Sequence, residues 1–170
     1  MKSTTEGVRG IEVMPLAVCL LLLLSLSACD SGPSTTPITP GLHRLEIEGH
    51  LLDVELATDD ISRARGLMYR TRVHEDSGML FIFPEAKIQR FWMKNCLIPL
   101  DIAFVDDEGK IVNIQRAVPP APQARVFPRY PSLLPVRYVL ETRAGWFEDR
   151  ELGAGVVVEG FRGPTGRRVQ

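Results

Sequence analysis

The chain is poor in cysteine: 170 residues hold only Cys19, Cys29 and Cys96. That excludes a disulfide-dense scaffold, so the fold has to be held by its core. It also lacks charge of one dominant sign. Twenty Lys and Arg stand against 21 Asp and Glu, a formal net charge of −1, which argues against a nucleic-acid partner. Catalytic templates are missing too: the sequence contains no CxxC, HExxH, GxSxG or P-loop pattern. His43, His50 and His74 do not cluster and have no metal-ligand spacing, so neither a metal site nor a cofactor is expected. The carboxylate pairs Asp59-Asp60 and Asp106-Asp107 fall at a helix start and in a turn, where capping explains them. Finally, the uncharged apolar run Leu16–Leu26 is only eleven residues long. A membrane-spanning helix needs about 20.

That run has the size of the apolar region of an export signal, with Lys2 and Arg9 upstream, diluted by Glu6 and Glu12. It leads into Leu26-Ser27-Ala28-Cys29, which resembles a bacterial lipobox. Small residues let the chain enter a peptidase cleft, and the thiol accepts the lipid. Residues 1–28 therefore read as a lipoprotein signal peptide, with Cys29 the lipidated residue and the membrane a partner through it. Residues 29–41 contain three prolines among Ser and Thr and read as a tether of at most about 3.1 Å per residue. The expected location is outside the cytoplasm, anchored to the bacterial cell membrane and facing the periplasm. Asp30 leans the assignment to the inner membrane. Cys96 is then the only thiol of the mature domain, and no intramolecular disulfide is possible.

Residues 42–162 read as one domain, followed by a tail at 163–170. Leu45–Ile47 and Asp53–Leu56 alternate around Glu48-Gly49-His50, the pattern of a hairpin. Asp59-Asp60 opens a short helix over Ile61–Arg65 that stops at Gly66. Met79–Phe83 is a buried strand that Pro84 is expected to end. Leu100–Val105 and Lys110–Val118 form a second hairpin, Val136–Glu141 and Val156–Phe161 complete the strands, and a further short helix is expected near Trp146–Leu152. The fold class is mainly β, a single compact β-sandwich or barrel-like domain with one or two short helices. Pro119–Pro135, with six prolines, reads as a long loop, either functional or simply rigid.

The densest unusual segment is Gln89–Asp101, QRFWMKNCLIPLD. Trp92, Lys94, Asn95 and Asp101 supply an aromatic face, a cation, an amide and a carboxylate, which suit a polar-aromatic ligand pocket; Arg65 is a further candidate. The same residues also fit a packing role: Lys94 pairing with Asp101, Asn95 capping a turn, Trp92 in the core. Strand register decides between the two.

Arg65-Gly66-Leu67-Met68, Gly78-Met79-Leu80-Phe81, Phe91-Trp92-Met93-Lys94-Asn95, Ile98-Pro99-Leu100-Asp101 and Tyr138-Val139-Leu140-Glu141 resemble, in order, the hallmark blocks of the DUF192 (UPF0127) family. The resemblance runs from about Leu45 to Phe161. It implies a compact β-rich fold, often exported in bacteria, with no established biochemical activity. The family block usually has Thr where this chain has Cys96, which argues for a packed thiol over a catalytic one. Where the family often has Gly-Asp before its final strand, this chain has Gly153-Ala154-Gly155.

Three functions are compatible with these residues. The first is a membrane-tethered module binding a small ligand or envelope component through Trp92, Lys94, Asn95, Asp101 and Arg65. The second is an envelope scaffold using the proline-rich loop 119–135 with Phe127 and Tyr130. The third is an envelope hydrolase or lyase using Lys94 with Asp101 or Glu141, although no catalytic motif supports an enzyme.

Overall fold

Leu100–Val105 reads Leu-Asp-Ile-Ala-Phe-Val, and all six side chains are buried. Such a strand must run through a sheet that is covered on both faces, and that requirement organises the domain. The computed structural model describes residues 41–161. Residues 1–28, read above as a signal peptide, Cys29 with the expected tether up to Pro40, and the expected tail 163–170 lie outside the described residues.

In chain order the elements are β1 (His43–Ile47), β2 (His50–Ala57), α1 (Asp60–Arg65), β3 (Ser77–Lys87), β4 (Arg90–Trp92), β5 (Leu100–Val105), β6 (Ile111–Ala117), β7 (Arg129–Pro131), β8 (Val136–Arg143) and β9 (Val158–Glu159). A single 3-10 turn, Glu148–Arg150, stands where the second short helix is expected. Seven strands make one sheet in the order β6-β5-β8-β3-β2-β1-β9, and β4 and β7 pair as a separate ribbon. The large sheet curls into a half-barrel. Its two edges meet at one end only, where Ile111 N–H donates to Val156 O at 2.9 Å and Val158 N–H donates to Gly109 O at 2.8 Å. The fold is thus mainly β and barrel-like.

Local chemistry explains the connections. β1 and β2 pair Ile47 with His50, leaving Glu48 and Gly49 as a two-residue turn with φ of 49° and 79°, the double left-handed geometry that matches strand twist. β2 and β3 are parallel, so a crossover must join them. It begins with α1, whose cap Asp59 accepts from the Ile61 and Ser62 amides at 2.9 Å each.

Two expectations are corrected. β3 does not stop at Pro84 but continues to Lys87. Its pairing with β8 breaks between Ile82 and Lys87, and a residue without an N–H is tolerated where the ladder is interrupted. Nor is the stretch 119–135 wholly loop: β7 lies inside it and pairs with β4, Phe91 opposite Tyr130.

The sheet separates two cores. Leu80, Ile82, Ala103, Tyr138 and Leu140 point into the curl, where Trp146 and Phe147 fill the interior. Met79, Phe81, Ile102, Phe104 and Val139 point the other way, beneath Leu67 of the crossover and Met93 and Cys96 after β4. The candidate site lies on this second face.

Candidate functional site

Glu141 lies on β8 opposite Met79 of β3 and Ile102 of β5. It is a carboxyl on an apolar face, only 4% exposed, and no donor among the described residues meets it. Burial without a partner penalises the charged form, which pushes the Glu141 carboxyl up to about 8. Glu141 forms the floor of a cavity of about 30 Å³, walled by Arg65, Gly66, Leu67, Phe91, Trp92 and Cys96. Gly66 is required here. Its φ is 48°, and a Cβ would stand 3.1 Å from Phe81 Cζ and 3.8 Å from Glu141 Oε2. A side chain would crowd the aromatic wall and close over the carboxyl.

Trp92 forms the half-buried upper wall. β4 holds it opposite Arg129 of β7. The Arg129 guanidinium lies 4.4 Å and the Lys94 ammonium 5.2 Å from its ring, and Phe127 meets it edge-on at 6.1 Å. Cations over an indole face are attracted by the ring quadrupole. Among the described residues no carboxylate pairs with Arg65, Lys94 or Arg129. Arg65 therefore brings an unpaired guanidinium to the wall of the cavity that holds the Glu141 carboxyl, and Lys94 and Arg129 add positive charge at the Trp92 ring.

Asn95 has a structural task beside the cavity. Cys96 N–H donates to Met93 O at 3.1 Å, closing a turn in which Asn95 takes φ of 57°, a conformation that asparagine tolerates better than most residues. Its carbonyl accepts from Tyr69 N–H at 2.8 Å, joining this turn to the crossover. Cys96 is buried, and burial with the neighbouring Glu141 pushes its thiol up to about 11. Such a thiol is a packing group and a poor nucleophile.

Asp101 does not join this site. It sits opposite Thr142 and Arg116, so it faces the interior of the curl while Glu141 faces the other way. Arg116 Nε donates to it at 2.8 Å and the Gly145 amide at 2.9 Å. The structure thus brings Arg65 and Trp92 to one cavity, sets Lys94 on the Trp92 ring and Asn95 in the adjoining turn, and leaves Asp101 across the sheet, with no ion pair to Lys94. Asp101→Ala should cost about 1–3 kcal/mol in chemical denaturation, because it leaves the Gly145 amide without its acceptor and Arg116 with Glu148 alone. In a Trp146→Phe background, where Trp92 is the one remaining tryptophan, the emission of the folded variant should be unchanged.

The family assignment rests on length as well as motif. The family model described as DUF192, Uncharacterized ACR, matches residues 43–160. The chain belongs to the DUF192 family. A solved structure from Sinorhizobium meliloti 1021, described as a "putative transcription regulator", is 36% identical, with a TM-score of 0.64 over 74% of this chain and 98% of its own. A protein of unknown function from Novosphingobium aromaticivorans DSM 12444 is 30% identical, with a TM-score of 0.64 over 79% of this chain and 97% of its own. No curated protein matches the chain.

In this DUF192 domain the floor of the cavity is the residue that pattern reading weighted least. A carboxylate within Val136–Arg143, on the same face as Val139, is the available signal: a charge on the buried side of a central strand. Arg129 and the wall residue Gly66 carry no comparable signal before the β4–β7 ribbon is known. Phe127 and Tyr130 of the proline-rich segment turn inward, against Trp92 and the second core respectively.

Proposed function

We propose that this DUF192 domain is a small-ligand binding module, using the cavity between Arg65, Trp92 and Glu141, with Lys94 and Arg129 stacked on its Trp92 wall. The observation that carries this reading is the unpartnered Glu141 carboxyl at the cavity floor. Burying a polar group without a hydrogen bond costs free energy, and a ligand that supplies the missing partner recovers it. Asn95 positions the wall; Asp101 supports the fold. The regulator description of the rhizobial structure is not adopted for this chain, whose net charge of −1 offers no electrostatic footprint for nucleic acid.

We further propose that the domain works outside the cytoplasm, tethered to the bacterial membrane through lipid on Cys29. The support is the eleven-residue apolar run ending in Leu-Ser-Ala-Cys and the proline-containing segment behind it. Asp30 favours the inner membrane.

Thermal-shift screening of the full-length protein against charged envelope metabolites tests the binding reading. A ligand should raise Tm, and Trp92→Ala and Lys94→Ala should each fold while weakening that ligand at least about tenfold, or about 1.4 kcal/mol. If both variants merely unfold, or no metabolite shifts Tm, the module reading fails.

A further inference from the structure

We infer that the ligand of this cavity is a short zwitterion, inserting a primary ammonium onto Glu141 and leaving its anionic group among Arg65, Lys94 and Arg129. The inference rests on the binding-module reading and names its ligand class. Three features of the cavity lead to it.

The first is size. A volume of about 30 Å³ holds a group of one or two heavy atoms, since a water needs roughly 10–15 Å³ on that measure. A sugar or aromatic ring cannot reach the floor; only an unbranched chain end can. The second is the floor itself. Glu141 is 4% exposed, with no partner among the described residues, and its surroundings on every packed element are nearly uncharged. β3 contributes Met79 and Phe81, β5 Ile102, and β4 Phe91 and Trp92; the segment after β4 adds only the Cys96 thiol. Arg63 and Arg65 from α1 are the charged groups at the cavity. Arg63 is committed to Thr58 O, Ile82 O and Asp60. A methyl terminus would leave the carboxyl unsatisfied, and a carboxylate terminus, though able to accept from the neutral carboxyl, would leave a net negative charge in an apolar site, whereas an ammonium ends as a neutral pair. A hydroxyl would make a neutral hydrogen bond, whereas an ammonium makes a charge-assisted one of roughly twice the strength. The third feature is the charge beside that wall: the unpaired Arg65 on the cavity wall and Lys94 and Arg129 on the Trp92 ring would repel a simple amine and attract one that carries an anion a few atoms away.

The chemistry balances as a proton exchange. The neutral Glu141 carboxyl gives its proton to solvent as the ligand ammonium arrives, leaving a carboxylate against R–NH₃⁺, and one proton is released per ligand bound. Affinity should therefore rise with pH up to about the Glu141 value near 8, approaching about tenfold per pH unit well below it.

The probes are 2-aminoethanesulfonate and 2-hydroxyethanesulfonate, neither of which titrates between pH 6 and 8. Titration calorimetry on the full-length protein, in two buffers of different ionisation enthalpy, reads binding and proton release together. The expected result is binding of the amine with about one proton released, its affinity rising with pH. The hydroxyl analogue should bind at least tenfold more weakly and release none. Glu141→Gln should abolish the proton release and the pH dependence. Lys94→Ala should weaken binding and leave the released proton in place. The same chemistry occurs free and on lipid headgroups, so O-phosphoethanolamine in solution is compared with phosphatidylethanolamine vesicles, phosphatidylcholine vesicles serving as control. Equal binding of the two sulfonates, or amine binding without proton release, overturns the ammonium assignment while leaving the pocket in use. Binding of neither overturns the zwitterion class, and the metabolite screen then judges the module reading separately.

Discussion

Stability should fall as the pH rises from about 5 to 8, and Glu141→Gln should remove most of that fall. In the unfolded chain this carboxyl titrates near 4.5, and in the folded domain near 8. Between those values the folded state holds a proton that the unfolded state has lost, so stability declines with pH across the window and levels off above it. The decline is on the order of several kcal/mol, each unit of separation being worth about 1.4 kcal/mol. The carboxylates held low act below this window. Glu55 is held low by Arg70, and Asp59 by the Ser62 amide and hydroxyl. They stabilise above their unfolded values, and their contribution is lost in acid. Cys96, raised from 9.0 to about 11, weakens the fold only above pH 9. Urea midpoints at pH 5, 6, 7 and 8 for both proteins check the prediction. A wild-type profile that is flat or rises over this range would contradict a buried, unpartnered Glu141.

Trp146→Ala is expected to be the most damaging single truncation, costing about 3–5 kcal/mol and lowering Tm by roughly 10–20 °C. Trp146 is fully buried inside the curl, edge-on to Phe147 at 4.9 Å. Its Nε1–H donates to Asp76 at 3.1 Å, and the Arg150 guanidinium covers its ring at 4.5 Å. The half-barrel encloses this indole in place of a complete ring of strands, so truncation opens a void that the strands cannot collapse to fill. Trp146→Phe keeps most of the apolar volume and loses the N–H, and should cost about 1–2 kcal/mol. Calorimetry of the two variants separates the volume from the hydrogen bond; equal losses would show that the bond dominates.

How far the sequence reveals this depends on which physical signal each part carries. Strands with unbroken apolar runs, such as Met79–Phe83, are legible because burial on both faces leaves no alternation to misread. The Asp59 cap and the Glu48-Gly49 turn are legible because they are local chemistry. Sheet order is not, since β8 inserts between β3 and β5 through contacts far apart in sequence. The same limit governs the site. Trp92, Lys94 and Asn95 stand out as residue types, but Asp101 looks equally eligible until register sends it to the opposite face. Glu141 ends the apolar stretch Tyr138–Leu140, and its task becomes visible only when Gly66 and Trp92 are brought above it. β7 escapes notice because six prolines mask a three-residue pairing with β4.

The seam of the half-barrel has a kinetic consequence. β1 gains its second neighbour only from β9, pairing Ile47 with Val158, so the opening strand waits for nearly the last residues of the domain. Loop closure over such a separation is slow compared with local pairing. A chain emerging from its N-terminal end can form the β1–β2 hairpin at once, but it keeps an open sheet edge until β9 arrives. Until then that edge is a template on which a second chain could pair, and the short closing strand is what blunts it.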